Sequence, residues 1–322
     1  MIGIRGWGIG ARYEARTMRR QSFWLEVLRR LCRDRMALLG LCIVVAMFLV
    51  GIFAPWLAPY SYTDQNLDAV ELPPSWEHWL GTDELGRDLL SRIIWGARAA
   101  VILVVVVTSI RVTIGVILGA LAAYLGGWVD TLIMRTTDFL FAFPSTLFVL
   151  FIAATIEPSI VNWVKDVEGL VGMEGLARSG MVDYLVVIIS LALVGWPGMA
   201  RLVRGQGLSL KEREFVEAAR AIGASSWHII TRHLLPNALS PVIVAVSIGM
   251  GGVILSEAVL SFLGIGLRPP NPSWGAMIYD NYAFWRTRPH LVIVPGLVLA
   301  TVVFAFNFLG DGLNDALNPQ AD

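Results

Sequence analysis

The sequence predicts an all-α integral membrane protein with six transmembrane helices. Three observations carry that reading. Of the 322 residues 56% are hydrophobic and only 16% charged, the mean hydropathy is +0.66, and the apolar residues arrive in six blocks. Each block is near the roughly 20 residues a helix needs to cross the hydrocarbon. Soluble domains carry about 25% charged residues and disordered chains are poor in apolar ones, so neither class fits. The formal net charge of zero gives no support to a basic nucleic-acid surface.

The chain opens with a segment, 1–35, that stays out of the membrane. Its first ten residues are glycine-rich and expected to be loose. From Ser22 to Leu31 the spacing puts Trp24, Leu28 and Leu31 on one helical face among Arg29, Arg30 and Arg33, the pattern of a helix lying on a membrane surface. The apolar blocks follow at about 36–58, 99–125, 132–156, 182–203, 239–263 and 291–309. The first begins late and is too long for a signal-peptide core, so no cleavable signal is expected. Pro144 and Pro197 are tolerable inside such helices because neighbours can satisfy the freed backbone. Gly115 and Gly119 form a small-xxx-small pair suited to close helix packing. Cys32 and Cys42 have no metal or disulfide spacing and read as packing residues.

Arginine placement sets the orientation. Arg5, Arg12, Arg16, Arg19, Arg20, Arg29, Arg30, Arg33 and Arg35 precede the first span, which puts the N-terminus in the cytoplasm. Six spans return the C-terminus there. The next loop, 59–98, is acidic, with Asp64, Asp68, Glu71, Glu77, Asp83, Glu84 and Asp88. Within it the stretch 83–98 places Leu89, Leu90, Ile93, Ile94 and Ala97 at helical spacing. That describes an amphipathic helix, either on the outer surface or against the mouth of a pore. Trp76, Trp79 and Trp95 fit an interfacial aromatic belt.

The loop 205–237 is longer than a bundle connection needs. Residues 210–222 read as a short helix ended by Gly223, and Ser225 or Ser226 can cap a second helix through Leu235, with Pro236 and Pro241 marking entry to the next span. On the first helix Phe215, Ala218, Ala219 and Ile222 share a face with Arg213, Glu214, Glu217 and Arg220 around it. An apolar knob with a charged rim is either half of an interface or a face folded back onto the bundle.

Three ionisable residues fall in the apolar blocks: Arg111 in the second, Asp138 in the third and Glu257 in the fifth. They are candidates for a translocation path. Arg111 also suits a structural role, pairing with a neighbouring acid or with backbone. His78, His228, His233 and His290 have no ligand spacing, so no metal site is expected, and no catalytic constellation can be argued.

Here the residues resemble a known family. Glu217-Ala218-Ala219, Gly223 and Leu235-Pro236 resemble the EAA loop of ATP-binding-cassette importer permeases, with His233 where that pattern has an apolar residue. The segment Gly81 to Arg92 (GTDELGRDLLSR), Leu260 to Gly264 (LSFLG), Pro272 to Gly275 (PSWG) and Phe308 to Leu317 (FLGDGLNDAL) are similar to the C-type permease of dipeptide and oligopeptide (peptide/nickel) importers. The likeness covers about 33–319.

The resemblance implies the type I importer fold and a multi-pass subunit of a prokaryotic inner membrane. It implies pairing with a second, B-type permease to form the pore, two cytoplasmic ATPase subunits, and an extracytoplasmic binding protein that delivers peptides or related solutes. Phe215, Glu217, Ala218, Ala219, Ile222, Gly223, Leu235 and Pro236 would then couple to the ATPase. The chain has no Gly-x-x-x-x-Gly-Lys-Ser/Thr phosphate loop. By the same resemblance it is a non-catalytic subunit without a cofactor, ATP and magnesium belonging to its partners. The competing reading is a self-contained ion-coupled carrier using Arg111, Asp138 and Glu257. Such carriers show internal repeats that this sequence lacks, and six spans are few for one.

Overall fold

The computed structural model describes residues 25–172, 175 and 179–317. The expectations for the glycine-rich start, for the arginines up to Arg20 and for Trp24 lie outside those residues. The described chain is helical. We number a short helix at 25–31 as α1, then α2 (Arg35–Ile52), α3 (Leu89–Leu125), α4 (Gly127–Phe141), α5 (Ser145–Val171), α6 (Met181–Lys211), α7 (Glu214–Ala221), α8 (Ser226–Phe262), α9 (Trp274–Asn281) and α10 (His290–Leu317). Among the described residues six of these, α2, α3, α5, α6, α8 and α10, are long and apolar enough to cross a membrane.

Two boundaries differ from the sequence reading. The amphipathic stretch 83–98 is not a separate surface helix. Asp88 caps a helix at Leu89, accepting from the Ser91 N–H at 2.7 Å, and nothing interrupts it before Gly126. Of its expected apolar stripe, Leu89, Ile93 and Ala97 are buried inside the bundle and Leu90 and Ile94 are half-buried. The third block, 132–156, is divided. Helix α4 ends at Phe141, and Pro144, which has no N–H to continue a helix, stands ahead of α5. Helix α5 then runs on to Val171, because Glu157, Pro158 and Ser159 end its hydropathy signal without ending the helix.

Helices α3 and α6 lie side by side, and α6 also meets α4, α5 and α8, while α10 packs against α2, α8 and α9. Helix α6 is accordingly the most enclosed, with 56% of its most apolar stretch buried against 22–28% for the other five. Lipid gives no hydrophobic reward for helix contact, so close approach and dispersion must supply it. At Gly115 a methyl would sit 2.5 Å from Met199 Cβ, and at Gly119 one would sit 2.5 Å from the Ala200 carbonyl, so any larger residue would part α3 from α6. The cysteines are not packing residues: Cys32 and Cys42 are exposed. Helix α2 presents Gly40, Val44, Met47 and Gly51 to the bundle, and Cys42 lies on its opposite side.

Helix α1 meets the far end of α10, with Val27 packed on Ala316 and Leu317 and Leu31 beside Gly312. Of the expected stripe, Leu31 is buried and Leu28 exposed. At the opposite end the 59–88 loop is fixed by Asp83, which has no exposed surface. It accepts from the Leu85 and Arg87 amides, from Arg87 Nε at 2.7 Å and from Arg92 Nη1 at 2.5 Å.

Candidate functional site

The site begins where α3, α4 and α6 are tied together. Lys211 Nζ donates to the Ala123 and Tyr124 carbonyls at 3.3 and 2.9 Å, closing the end of α3. Arg204 grips Asp130 of α4 with two hydrogen bonds of 2.5 and 2.6 Å, which hold that carboxyl below its usual range. Arg201 donates to Thr137 at 3.0 Å and to Asp138 at 2.6 Å.

From this platform the chain turns at Glu212 and Arg213 into α7. The helix expected over 210–222 is shorter, because residues through Lys211 continue α6. Gly223 at φ +78° makes the left-handed corner that ends the element, and the Ala224 N–H reaches back to the Ala219 carbonyl at 3.0 Å. Ser225 then caps α8 by accepting from the His228 N–H at 3.3 Å. Pro236 forms no second corner. It lies just after a wide π-turn, Ile230–Leu234, within one continuous helix that runs to Phe262. The wider turn accommodates the ring and the missing donor.

The expected apolar face of α7 is split in two. Val216 and Ala219 are turned inward, at 0% and 6% exposure, onto Ile229, Ile230, Leu234 and Val203. Phe215 and Ile222 are turned outward, at 41% and 86%, with Ala218 and Glu217 also exposed. One side of the helix is thus folded back onto the bundle and the other is left exposed. Ala219 belongs to the bundle side, and Val216 is the residue sequence reasoning missed. Its i,i+3 relation to Ala219 was the available signal. Leu235 is half-buried and Pro236 exposed. The Phe215 ring lies 6.0 Å from that of His233, which lies 5.9 Å from His228. His233, where the EAA pattern has an apolar residue, thus still offers a ring to pack against.

The three ionisable candidates are not brought together. No ion pair or hydrogen bond joins any two of them among the described residues. Arg111 donates from Nε to the Leu191 carbonyl at 2.9 Å, through a gap kept open by Gly195, where a methyl would lie 1.9 Å from that nitrogen. Glu257 is buried and accepts from Ser261 Oγ at 2.6 Å. Asp138 sits on α4, outside the six crossing helices, paired with Arg201.

The sequence also gave no warning of a second ion cluster, at the end away from α7. Arg268 binds Asp183 at 2.6 Å and Glu157 at 2.7 Å, joining the loop after α8 to α6 and α5. Its partners are 85 and 111 residues away, beyond the reach of local spacing.

Residues 115–322 match the family of binding-protein-dependent transport system inner membrane components. The chain belongs to that family. Residues 22–74 of the permease match the N-terminal transmembrane domain of oligopeptide transport permease C. The permease is 38% identical over 299 residues to the dipeptide transport system permease protein DppC of Alkalihalophilus pseudofirmus, covering 93% of this chain and 90% of that one. It is 41% identical over 298 residues to the glutathione transport system permease protein GsiD of Escherichia coli, covering 92% and 90%. Its fold is similar to that in a structure titled as inward-facing conformations of the MetNI methionine ABC transporter. The TM-score there is 0.51 at 20% identity, over 71% of this chain and 96% of that one. The permease thus has the type I importer fold, is a multi-pass protein of the inner membrane, and serves a binding-protein-dependent importer rather than acting as a self-contained ion-coupled carrier.

Proposed function

We propose that this permease forms half of a translocation pore with a second, B-type permease and moves peptides or related solutes inward. The solutes are delivered by an extracytoplasmic binding protein, and the transport is powered by two cytoplasmic ATPase subunits. Both ends of the chain and the 205–237 loop face the cytoplasm, as the arginines before α2 require. The permease catalyses nothing itself and holds no cofactor, ATP and magnesium being bound by the ATPases. The solute class is supported by the dipeptide and glutathione relatives.

The observation that carries the coupling role is the two-sided build of α7. Its inward side, Val216 and Ala219, is anchored on α6 and α8. Its outward side offers Phe215, Ala218 and Ile222 beside the exposed carboxylate of Glu217. A helix fixed on one side and apolar on the other passes a push from a docked partner directly into two crossing helices. Gly223 sets its return into α8, and the Leu235-Pro236 step lies further along that helix. Arg111 and Glu257 orient the bundle through their backbone and hydroxyl partners, and Asp138 fastens α4 to α6 at the path's inner end.

The test is transport by the whole complex in proteoliposomes. Glu217→Arg and Gly223→Pro are expected to abolish ATP-driven uptake while the permease still inserts and pairs. Uptake should survive an uncoupler and stop when the partner ATPase is inactivated. Normal uptake by both variants would end the coupling assignment.

A further inference from the structure

We propose that α1 is a lipid-binding element, which seats the Arg29, Arg33 and Arg35 guanidiniums on the phosphates of anionic phospholipids. At about 100° per residue, with Leu25 as zero, the helix divides into arcs of different chemistry. Val27 and Leu31, near 200° and 240° on the same estimate, are the buried side, Val27 against Ala316 and Leu317 and Leu31 beside Gly312 at the end of α10. Leu25, Leu28 and Cys32 occupy the next arc, from about 300° to 360°, and all three are exposed. The far arc carries Glu26 and Arg30, which neutralise each other at 2.7 Å. Arg29 lies on the boundary between the apolar arc and that polar one.

This is the order of surroundings met by a helix lying in the plane of an interface with the bundle at its side: protein, hydrocarbon, headgroups, water. Connectivity fixes the depth. Helix α2 starts at Arg35, and the first crossing residue, Met36, follows directly. Arg33 and Arg35 therefore stand at the foot of a membrane span. Arg29, Arg33 and Arg35 are exposed, and none has an ion-pair partner among the described residues. Exposed leucines beside unpaired arginines at headgroup depth fit an anionic lipid surface, since apolar burial and phosphate contact act together there.

The experiment uses the full chain, purified in mild detergent, stripped of lipid and titrated with phosphatidylglycerol or phosphatidylcholine under native mass spectrometry. The wild type is expected to prefer phosphatidylglycerol. The preference should fall by roughly fivefold for each arginine changed, and on the order of 100-fold in the triple variant R29Q/R33Q/R35Q. Arg286→Gln, which removes an exposed arginine at the other end, should leave the preference unchanged. An unaltered preference in the triple variant would overturn the proposal. So would loss of the ATPase subunits from the triple variant's complex with the lipid preference intact, which would give the surface to the ATPase. A second readout keeps wild-type α1: Cys32, carrying an environment-sensitive dye in a Cys42→Ser background, should emit as in a bilayer interface. Water-like emission in mixed-lipid nanodiscs would also overturn the proposal.

Discussion

A carboxylate without exposed surface is tolerable only when its oxygens are all engaged, and Asp83 meets that condition with two amides and two guanidiniums. Asp83→Asn leaves Arg87 buried without its counter-ion and Arg92 with only Asp280 at 3.6 Å, at a cost of about 3–5 kcal/mol. The variant is expected to be depleted from the membrane fraction, or to unfold at clearly lower temperature in detergent. Gly195→Leu should be comparably damaging, because the side chain would occupy the space of the Arg111 guanidinium. Overpacking costs about 1–3 kcal/mol and the displaced charge adds to it; thermal unfolding followed by the fluorescence of the twelve tryptophans measures both. Asp130 gives a pH dependence whose sign follows from its partner. Arg204 holds its pKa below the ordinary 3.8, so the contribution is complete above that value and is lost as the pH falls further. Asp130→Asn should flatten the acid limb of the stability curve, and an unchanged limb would show that the pair contributes nothing. None of these partners was legible in the sequence beyond the i,i+4 relation of Asp83 to Arg87, because pairs such as Arg204 with Asp130 are set by the fold.

At the level of elements, hydropathy located all six crossing helices but misjudged where some begin and end. It responds to apolar composition, whereas the ends are set by single residues. Asp88 starts α3 ahead of its apolar block, Pro144 separates α4 from α5, and Pro236 fails to break α8 because a π-turn absorbs it. The same limit explains α7. Its existence and its Gly223 corner were readable, but an eight-residue helix with apolar groups over half its circumference could not reveal which of them face the bundle. The division gives a sharp prediction. Phe215→Asp with Ile222→Asp should weaken ATPase binding by about 2 kcal/mol or more, roughly 30-fold, with normal folding. Val216→Asp should instead lower the stability of the permease itself, since it places a charge at a site with 0% exposure. Titrating the ATPase onto detergent-purified permease, beside thermal unfolding of each variant, separates the two. Equal behaviour of the two faces would contradict the division.

The whole molecule is a bundle whose two ends differ in kind. One end is locked by the Asp83 and Arg268 clusters and by Trp274, whose indole donates to the Ile93 carbonyl at 3.1 Å. The other end carries α1, the terminus of α10 and α7, with outward apolar side chains and with Arg29, Arg33 and Arg35, which have no ion-pair partner among the described residues. The short motifs GTDELGRDLLSR and EAA were enough to indicate the family, because each packs a demanding piece of geometry into a few residues. The solute was not legible, since no described residue cluster marks a binding site and the ionisable residues in the membrane are each engaged separately. The most direct measurement is affinity purification of tagged wild-type and Phe215→Asp/Ile222→Asp permease from native membranes in mild detergent, with every co-purifying protein identified. The wild type should bring down a second six-span permease together with phosphate-loop ATPase subunits, and the variant should keep the permease and lose the ATPases. Recovery of the wild-type chain alone, stable and monodisperse, would contradict the coupled half-pore, and equal recovery of ATPases by both forms would contradict the role given to α7.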